Sequence, residues 1–283
     1  MDVGTLLGIR KGDLLVPHFS FKRAQYEAIT PEFLNEICSL RYEVYCLECG
    51  FLDPKDYEHG IECDEYEGRS THVAAYNLSD EIVGTVRLVQ ARDDNQQFPW
   101  QSHCVSFENF VLPPPTLSAE VSRLVVHKRY RRRSGDNMAG VSQEIETSQK
   151  TAVISAPPCA ACAATNTVIR KRRRSNTPQI LLGMYRELYR YSRANGVRYW
   201  YAAMERHLAN SLGKMGFPFK PIGPATDYYG PVTPYLADLD EVVESLRERN
   251  PLLCAWFHDE PISRWLLLQT FVQMQLGALR NKH

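Results

Sequence analysis

Residues 31–46 (PEFLNEICSLRYEVYC) constrain this chain more than any other stretch, because they set a charge where a helix requires an apolar side chain. Thr30 is placed to cap the helix, and Pro31 suits its first position, where a missing N–H costs nothing. At about 100° per residue, Phe33, Leu34, Ile37, Cys38, Leu40, Val44 and Tyr45 form one apolar stripe, with Asn35, Glu36, Ser39 and Glu43 opposite. Arg41 projects from the middle of that stripe. A guanidinium stays charged at any working pH, so a buried one demands carboxylates. Glu62, Asp64 and Glu67 follow nearby, and Glu120 further on. A buried ion network is a poor source of stability, so the pattern predicts a site; the alternative is an arginine that snorkels to the domain edge.

The chain has 283 residues, 44% hydrophobic and 23% charged, which suits one extended globular domain or two small ones. Its formal net charge is +0, so no overall field draws it to nucleic acid or to a membrane surface. Basic charge clusters locally at 128–133 (KRYRRR) and 170–174 (RKRRR). The amino terminus has no secretory pattern, and no stretch approaches the ~20 apolar residues of a membrane span. The eight cysteines are too scattered for a disulfide framework, and together these features predict a cytoplasmic protein. Cys46-x-x-Cys49 and Cys159-x-x-Cys162 have zinc-like spacing, but one sits at a predicted helix end and the other in low-complexity sequence, so no metal site is expected. His72, His103, His127 and His207 follow no metal spacing and read as structural.

Periodicity orders the rest. A strand over 19–29 leads into the Arg41 helix, and a polar loop covers 50–70. Two strands, 71–76 and 82–90, form a hairpin around 77–81 (NLSDE), and 120–126 (EVSRLVV) is a further strand. Residues 134–177 hold no aromatic side chain and are rich in Ser, Thr, Ala, Asn and Gln, which predicts a disordered insertion. A helix then starts at Thr177-Pro178, with Leu181, Met184, Leu188 and Tyr191 on one face and Gly196 beyond its end. Strands over 197–203 and 217–222 enclose a short helix over 205–215, and helices are expected at 238–249 and 261–279. The prediction is an α/β (α+β) chain with a mixed, mostly antiparallel sheet flanked by helices. Its domain would span 19–236 and be followed by a helical extension over 237–283.

Charge recurs in apolar frames in four places: Arg41-Tyr-Glu-Val-Tyr45, Glu62-Cys-Asp64-Glu-Tyr66-Glu67, Gly84-Thr-Val-Arg87-Leu88 and Glu120-Val-Ser122-Arg123-Leu124. Such groups, brought together, can orient a charged substrate and shift the proton affinity of a carboxylate. The ordered series resembles the acyl-homoserine-lactone autoinducer synthases and related N-acyl amino acid synthases, which share the GNAT acyltransferase fold. Within that group it is most similar to the PEP-CTERM/exosortase system-associated acyltransferases. Gly50-Phe-Leu52, Phe98-Pro99…His103-Cys104, Tyr130-Arg-Arg-Arg133, Tyr199-Trp-Tyr-Ala-Ala-Met-Glu205 and Ile222-Gly-Pro…Asp227-Tyr-Tyr-Gly230 carry the closer likeness.

The resemblance implies a GNAT-like fold and a charge cluster of Arg41, Asp64, Glu67, Arg87, Glu120 and Arg123 near an amine and an acyl thioester. Phe51 falls where those synthases carry a bulky aromatic beside the substrate. Glu67 departs from their usual Asp, and the continuation beyond 235 argues against an adenosylmethionine-derived substrate. Glu120, Arg87, Arg123 and Asp64 are the expected catalytic residues, and Arg41, Phe51, Glu62, Glu67 and Ser122 the substrate contacts. Direct attack of the amine on the thioester needs a proton acceptor, here Glu120 first and Glu62 or Asp64 second, and no covalent intermediate. In a regular strand Glu120 and Arg123 face opposite ways, so a bulge would help both reach one site.

Arg131, Arg132 and Arg133 would favour phosphate, either on phosphopantetheine or on the acidic face of an acyl carrier protein. The expected reaction moves a fatty acyl group from an acyl-carrier-protein or acyl-CoA co-substrate to a small amine such as an amino acid. No tightly bound cofactor or nucleic-acid partner is expected, and any membrane contact would be peripheral, through the lipid product. The alternatives are an acetyl-CoA-dependent GNAT N-acetyltransferase and a non-catalytic acyl-lipid-binding regulator.

Overall fold

A computed structural model of the chain describes residues 15–131, 177–228 and 230–263. It divides into two compact units. One contains described residues 15–89, 121–131 and 177–185; the other contains 90–120, 186–228 and 230–263. The sheet is mixed and mostly antiparallel, as expected.

In the first unit, β1 (Ser20–Gln25), β2 (Ser70–Tyr76) and β3 (Ile82–Gln90) form an antiparallel meander, with β4 (Ser118–Val126) beside β3. Every residue of β2 is buried, and β3 is buried from Val83 to Val89. The register sets His72 directly opposite Arg87. The β2–β3 turn is held by Asn77, whose side-chain oxygen accepts the backbone N–H of Ser79 (2.9 Å) and of Glu81 (3.0 Å).

Helix α1 (Pro31–Tyr42) begins as predicted: Phe33 N–H donates to the Thr30 hydroxyl at 3.3 Å, and Pro31 opens the first turn. Its stripe buries as the periodicity requires, Ile37 against Ala74 and Tyr76, Leu40 and Val44 against Val125. The helix does not run uniformly to 46; it widens into a π-type turn over Glu43–Glu48. Helix α2 (Thr177–Ala194) starts in this unit, and there it lies so close to the sheet that glycine is required at the contact. A Cβ on Gly183 would fall 2.0 Å from the Phe21 ring, and one on Gly84 would fall 3.0 Å from Ile180 and 3.1 Å from the Val125 carbonyl.

In the second unit, β5 (Tyr199–Met204) runs parallel to residues 118–120 of β4. After α3 (Arg206–Met215) come the two-residue strands β6 (Lys220–Pro221) and β7 (Thr226–Asp227), then β8 (Pro231–Asp238). Strand β8 is antiparallel to β5, β6 and β7. Phe98, Trp100, Cys104, Tyr201 and Ile222 form a core cluster, and α4 (Leu239–Arg249) and α5 (Pro251–Phe257) follow.

The sequence reading missed β8 and overextended the strand at 217–222. Pro231 and Pro234 read as turn residues. In the fold Pro234 needs no donor: it sits opposite Ala203, and its carbonyl accepts the Ile222 N–H at 2.9 Å. The insertion up to residue 176, including Cys159 and Cys162, and residues 264–279 of the last expected helix lie outside the described residues. Among the described residues, no helix is long and apolar enough to cross a membrane. Nor, among them, does any group of His, Cys, Asp and Glu take a metal-binding arrangement, Cys46 and Cys49 included.

Candidate functional site

The first unit gathers Arg41, Glu62, Asp64, Glu67, Arg87, Ser122 and Arg123 into one hydrogen-bonded network. Arg41 is fully buried on α1. Its Nε donates to Glu62, and its Nη2 donates to Glu67 Oε1 at 2.8 Å. From β3, Arg87 Nη1 donates to Asp64 Oδ1 at 2.6 Å and to Glu67 Oε1 at 2.7 Å, and Nη2 donates to Asp64 Oδ2 at 3.0 Å. That fork on Asp64 is the two-point geometry a planar guanidinium favours. Arg87 Nε donates to the Ser122 hydroxyl at 3.1 Å. Arg123 closes the network, Nε to Glu62 at 3.0 Å and Nη2 to Asp64 at 2.9 Å.

Consecutive residues of a flat strand point to opposite faces, yet Ser122 and Arg123 both reach this cluster. Arg123 has φ +50°, a left-handed conformation inside β4. That distortion re-aims its side chain, as a bulge does, and costs about 1–3 kcal/mol for a residue with a Cβ. The expected bulge was to bring Glu120 and Arg123 to one site; what the strand shows is the left-handed residue at Arg123, which joins Arg123 to Ser122 in this network but does not bring Glu120 into it.

Electrostatics keep the network ionised. Burial opposes charge on Arg41, but Glu62 and Glu67 more than offset it and hold its pKa above the ordinary value. Burial likewise works against Asp64, and Arg87 and Arg123 overcome it, so its carboxyl lies below the usual range. Glu67 is held well below that range: burial is again outweighed, by His72, Arg41 and Arg87. His72, buried on β2, has Nε2 3.0 Å from Glu67 Oε2, and burial lowers its pKa despite that carboxylate. His72 is thus neutral at pH 7, with three guanidinium groups facing three carboxylates. The sequence reading missed His72 as a cluster member; its place opposite Arg87 in a buried strand is the signal that finds it.

The cluster opens on one edge. Arg41 and Glu62 side chains are 0% exposed, whereas those of Asp64 and Arg123 are each 20% exposed. The Arg123 guanidinium lies over the Tyr45 ring at 5.7 Å, and Tyr45 stands beside Phe51, ring centroids 6.4 Å apart. Phe51 is fixed by its N–H, which donates to the Tyr45 carbonyl at 2.8 Å. The open edge therefore pairs a cation and an anion with aromatic surface. Within the cluster, Arg41 Nη1 is buried without a hydrogen-bond partner among the described residues.

Glu120 is placed in the second unit, where the Trp100 N–H donates to its carboxylate at 2.9 Å. Arg131 pairs with Glu48 of the π-type turn, and Lys128 with Glu43 (3.1 Å) and Glu48 (3.4 Å). The start of the basic run is thus already matched by carboxylates, while Arg132 and Arg133 lie outside the described residues. The second unit also carries an open cavity of about 670 Å³ among Tyr189, Arg193, Asp240, Arg247 and His258, which none of the sequence-derived site residues lines.

Residues 40–140 match the model of the acetyltransferase (GNAT) domain, a span that covers the whole charge network. No curated protein matches the chain. Among solved structures, TofI in a ternary complex with an inhibitor and MTA is similar at a TM-score of 0.54 and 14% identity, over 83% of this chain and 100% of TofI. The AHL synthase LasI is similar at a TM-score of 0.51 and 14% identity, over 82% of this chain and 95% of LasI. The chain has a GNAT-like fold.

Proposed function

We propose that the protein is an acyltransferase that moves a fatty acyl group from an acyl-carrier-protein or acyl-CoA thioester to a small amine, an amino acid in the simplest case. The observation that carries this reading is the largely buried network of three arginines and three carboxylates, with Asp64 and Arg123 partly exposed beside Tyr45 and Phe51. A preformed array of this kind fixes a charged amine without reorganising during reaction.

Asp64 and Glu67 are poor proton acceptors, because the arginines hold both below the usual carboxylate range. We assign them to orientation, together with Arg41, Glu62, Arg87, Ser122 and Arg123, and assign proton removal from the amine to Glu120. The amine attacks the thioester carbonyl, the C–N bond forms, and the thiol leaves with a proton. Likeness to the AHL synthase fold supports an acyl thioester donor, and the sequence motifs favour the exosortase-associated branch. Arg132 and Arg133 remain the proposed phosphate contacts, and Arg131 would join them only by leaving Glu48. The second reading is an acetyl-CoA N-acetyltransferase, favoured by the acetyltransferase domain match over 40–140.

The test is to incubate the purified chain with acetyl-CoA, long-chain acyl-CoA and long-chain acyl carrier protein, each with a mixture of amino acids. Free thiol and N-acyl product are measured. Long-chain product supports the proposal, acetyl product alone supports the second reading, and binding without thiol release refutes both.

A further inference from the structure

The network does not use a pair of thiols built into its frame. Cys38 lies on the buried stripe of α1, one turn before Arg41, and Cys63 lies between Glu62 and Asp64. Their sulfurs are 2.8 Å apart, not far from the ~2.05 Å of a disulfide. The backbone holds the two segments together independently, since the Glu62 N–H donates to the Cys38 carbonyl at 3.2 Å. Cys38 is fully buried and Cys63 is exposed, so an oxidant in solvent reaches one sulfur and the other waits behind it.

We propose that Cys38 and Cys63 are a redox-active dithiol, which a peroxide closes into a disulfide that staples the carboxylate-bearing loop to the arginine-bearing helix. The Cys63 pKa lies below the ordinary thiol value, because the hydrogen bond between the two sulfurs and the Arg41 guanidinium favour its anion; Cys38 is raised by the same bond and by burial. The Cys63 thiolate attacks one peroxide oxygen and the O–O bond breaks; Cys63 becomes a sulfenic acid, and the departing hydroxide takes up the proton that the Cys63 thiol had released and leaves as water. Cys38 sulfur then attacks the Cys63 sulfur, the S–O bond breaks, and the departing hydroxide takes the Cys38 proton as a second water. Two thiols and one hydrogen peroxide yield one disulfide and two waters. The ring so closed holds Glu62 against Arg41 and shuts the cluster off from local opening of the loop.

The test uses the full chain and reads no acyl transfer, so its outcome is separate from that of the proposed reaction. The protein is treated with stoichiometric hydrogen peroxide, free thiols are alkylated, and peptides are mapped by mass spectrometry. A Cys38–Cys63 linked peptide should dominate and disappear on treatment with dithiothreitol. The oxidised protein should unfold roughly 5–10 °C higher than the reduced form, a shift absent in Cys63→Ser. In Cys38→Ala, peroxide should leave Cys63 as a sulfenic acid that dimedone traps. Overoxidation of Cys63 without linkage in the natural sequence, linkage through other cysteines, or no thermal shift would each overturn the proposal.

Discussion

Replacing Arg87 by alanine removes the cation shared by Asp64 and Glu67, with contacts at 2.6, 3.0 and 2.7 Å, and the bond to Ser122 at 3.1 Å. Breaking a buried ion pair from one side costs about 3–5 kcal/mol, because the remaining charge stays buried and uncompensated. Two features place this case near the low end. Glu67 keeps Arg41, and Asp64, 20% exposed, keeps Arg123. The expected loss is therefore about 3 kcal/mol at pH 7, read from guanidinium unfolding followed by tryptophan fluorescence.

The network also makes stability depend on pH. Asp64 and Glu67 titrate lower in the folded chain than in the unfolded one, so they contribute stability above about pH 4 and lose it as pH falls through their folded values. Arg87→Ala removes much of that contribution in advance. The gap between natural and variant proteins should then narrow from pH 7 to pH 4, where protonation relieves the stranded carboxylates. A loss below about 1 kcal/mol at pH 7, or one unchanged between the two pH values, would refute the idea that Arg87 compensates buried charge.

Three other substitutions probe separate links. Glu120→Gln should reduce thiol release by about 10²-fold or more with little change in the unfolding midpoint; full activity would remove Glu120 as the base. His72→Gln tests the neutral histidine. His72 is harder to protonate folded than unfolded, so the natural protein should lose stability as pH falls through about 6.5, and the variant should lose less between pH 7.5 and 5.5 in the same unfolding assay. Gly183→Ala would improve intrinsic helix propensity, yet should lower stability by about 1–3 kcal/mol because the new methyl meets the Phe21 ring. A raised melting temperature in Gly183→Ala would show that α2 does not sit so close to β1.

The legible parts of the site were those where one residue type breaks a local pattern. Arg41 in an apolar helical stripe and Arg87 in an apolar strand each announce burial with partners, and the acidic loop between them supplies Glu62, Asp64 and Glu67. The illegible parts depend on backbone detail and distant pairing. Nothing in Ser122-Arg123 announces φ +50°, which is what lets neighbours in a strand serve one cluster. His72 carries no spacing motif and acquires its role only when β2 and β3 align it with Arg87. Strand β8 was hidden by its prolines, which read as turns until the pairing partners of Pro234 are known. Cys38 and Cys63 are 25 positions apart in sequence, and periodicity alone cannot make them neighbours.

The backward twist at position 123 leaves evolution few exits. Glycine would relax the chain there but delete a cation held by both Glu62 and Asp64, and asparagine would ease the torsion while keeping only a short neutral amide. Lysine would preserve the charge but inherit the torsional penalty and lose the forked grip. Library selections at this codon should therefore split cleanly, thermal tolerance enriching the small residues and turnover enriching arginine.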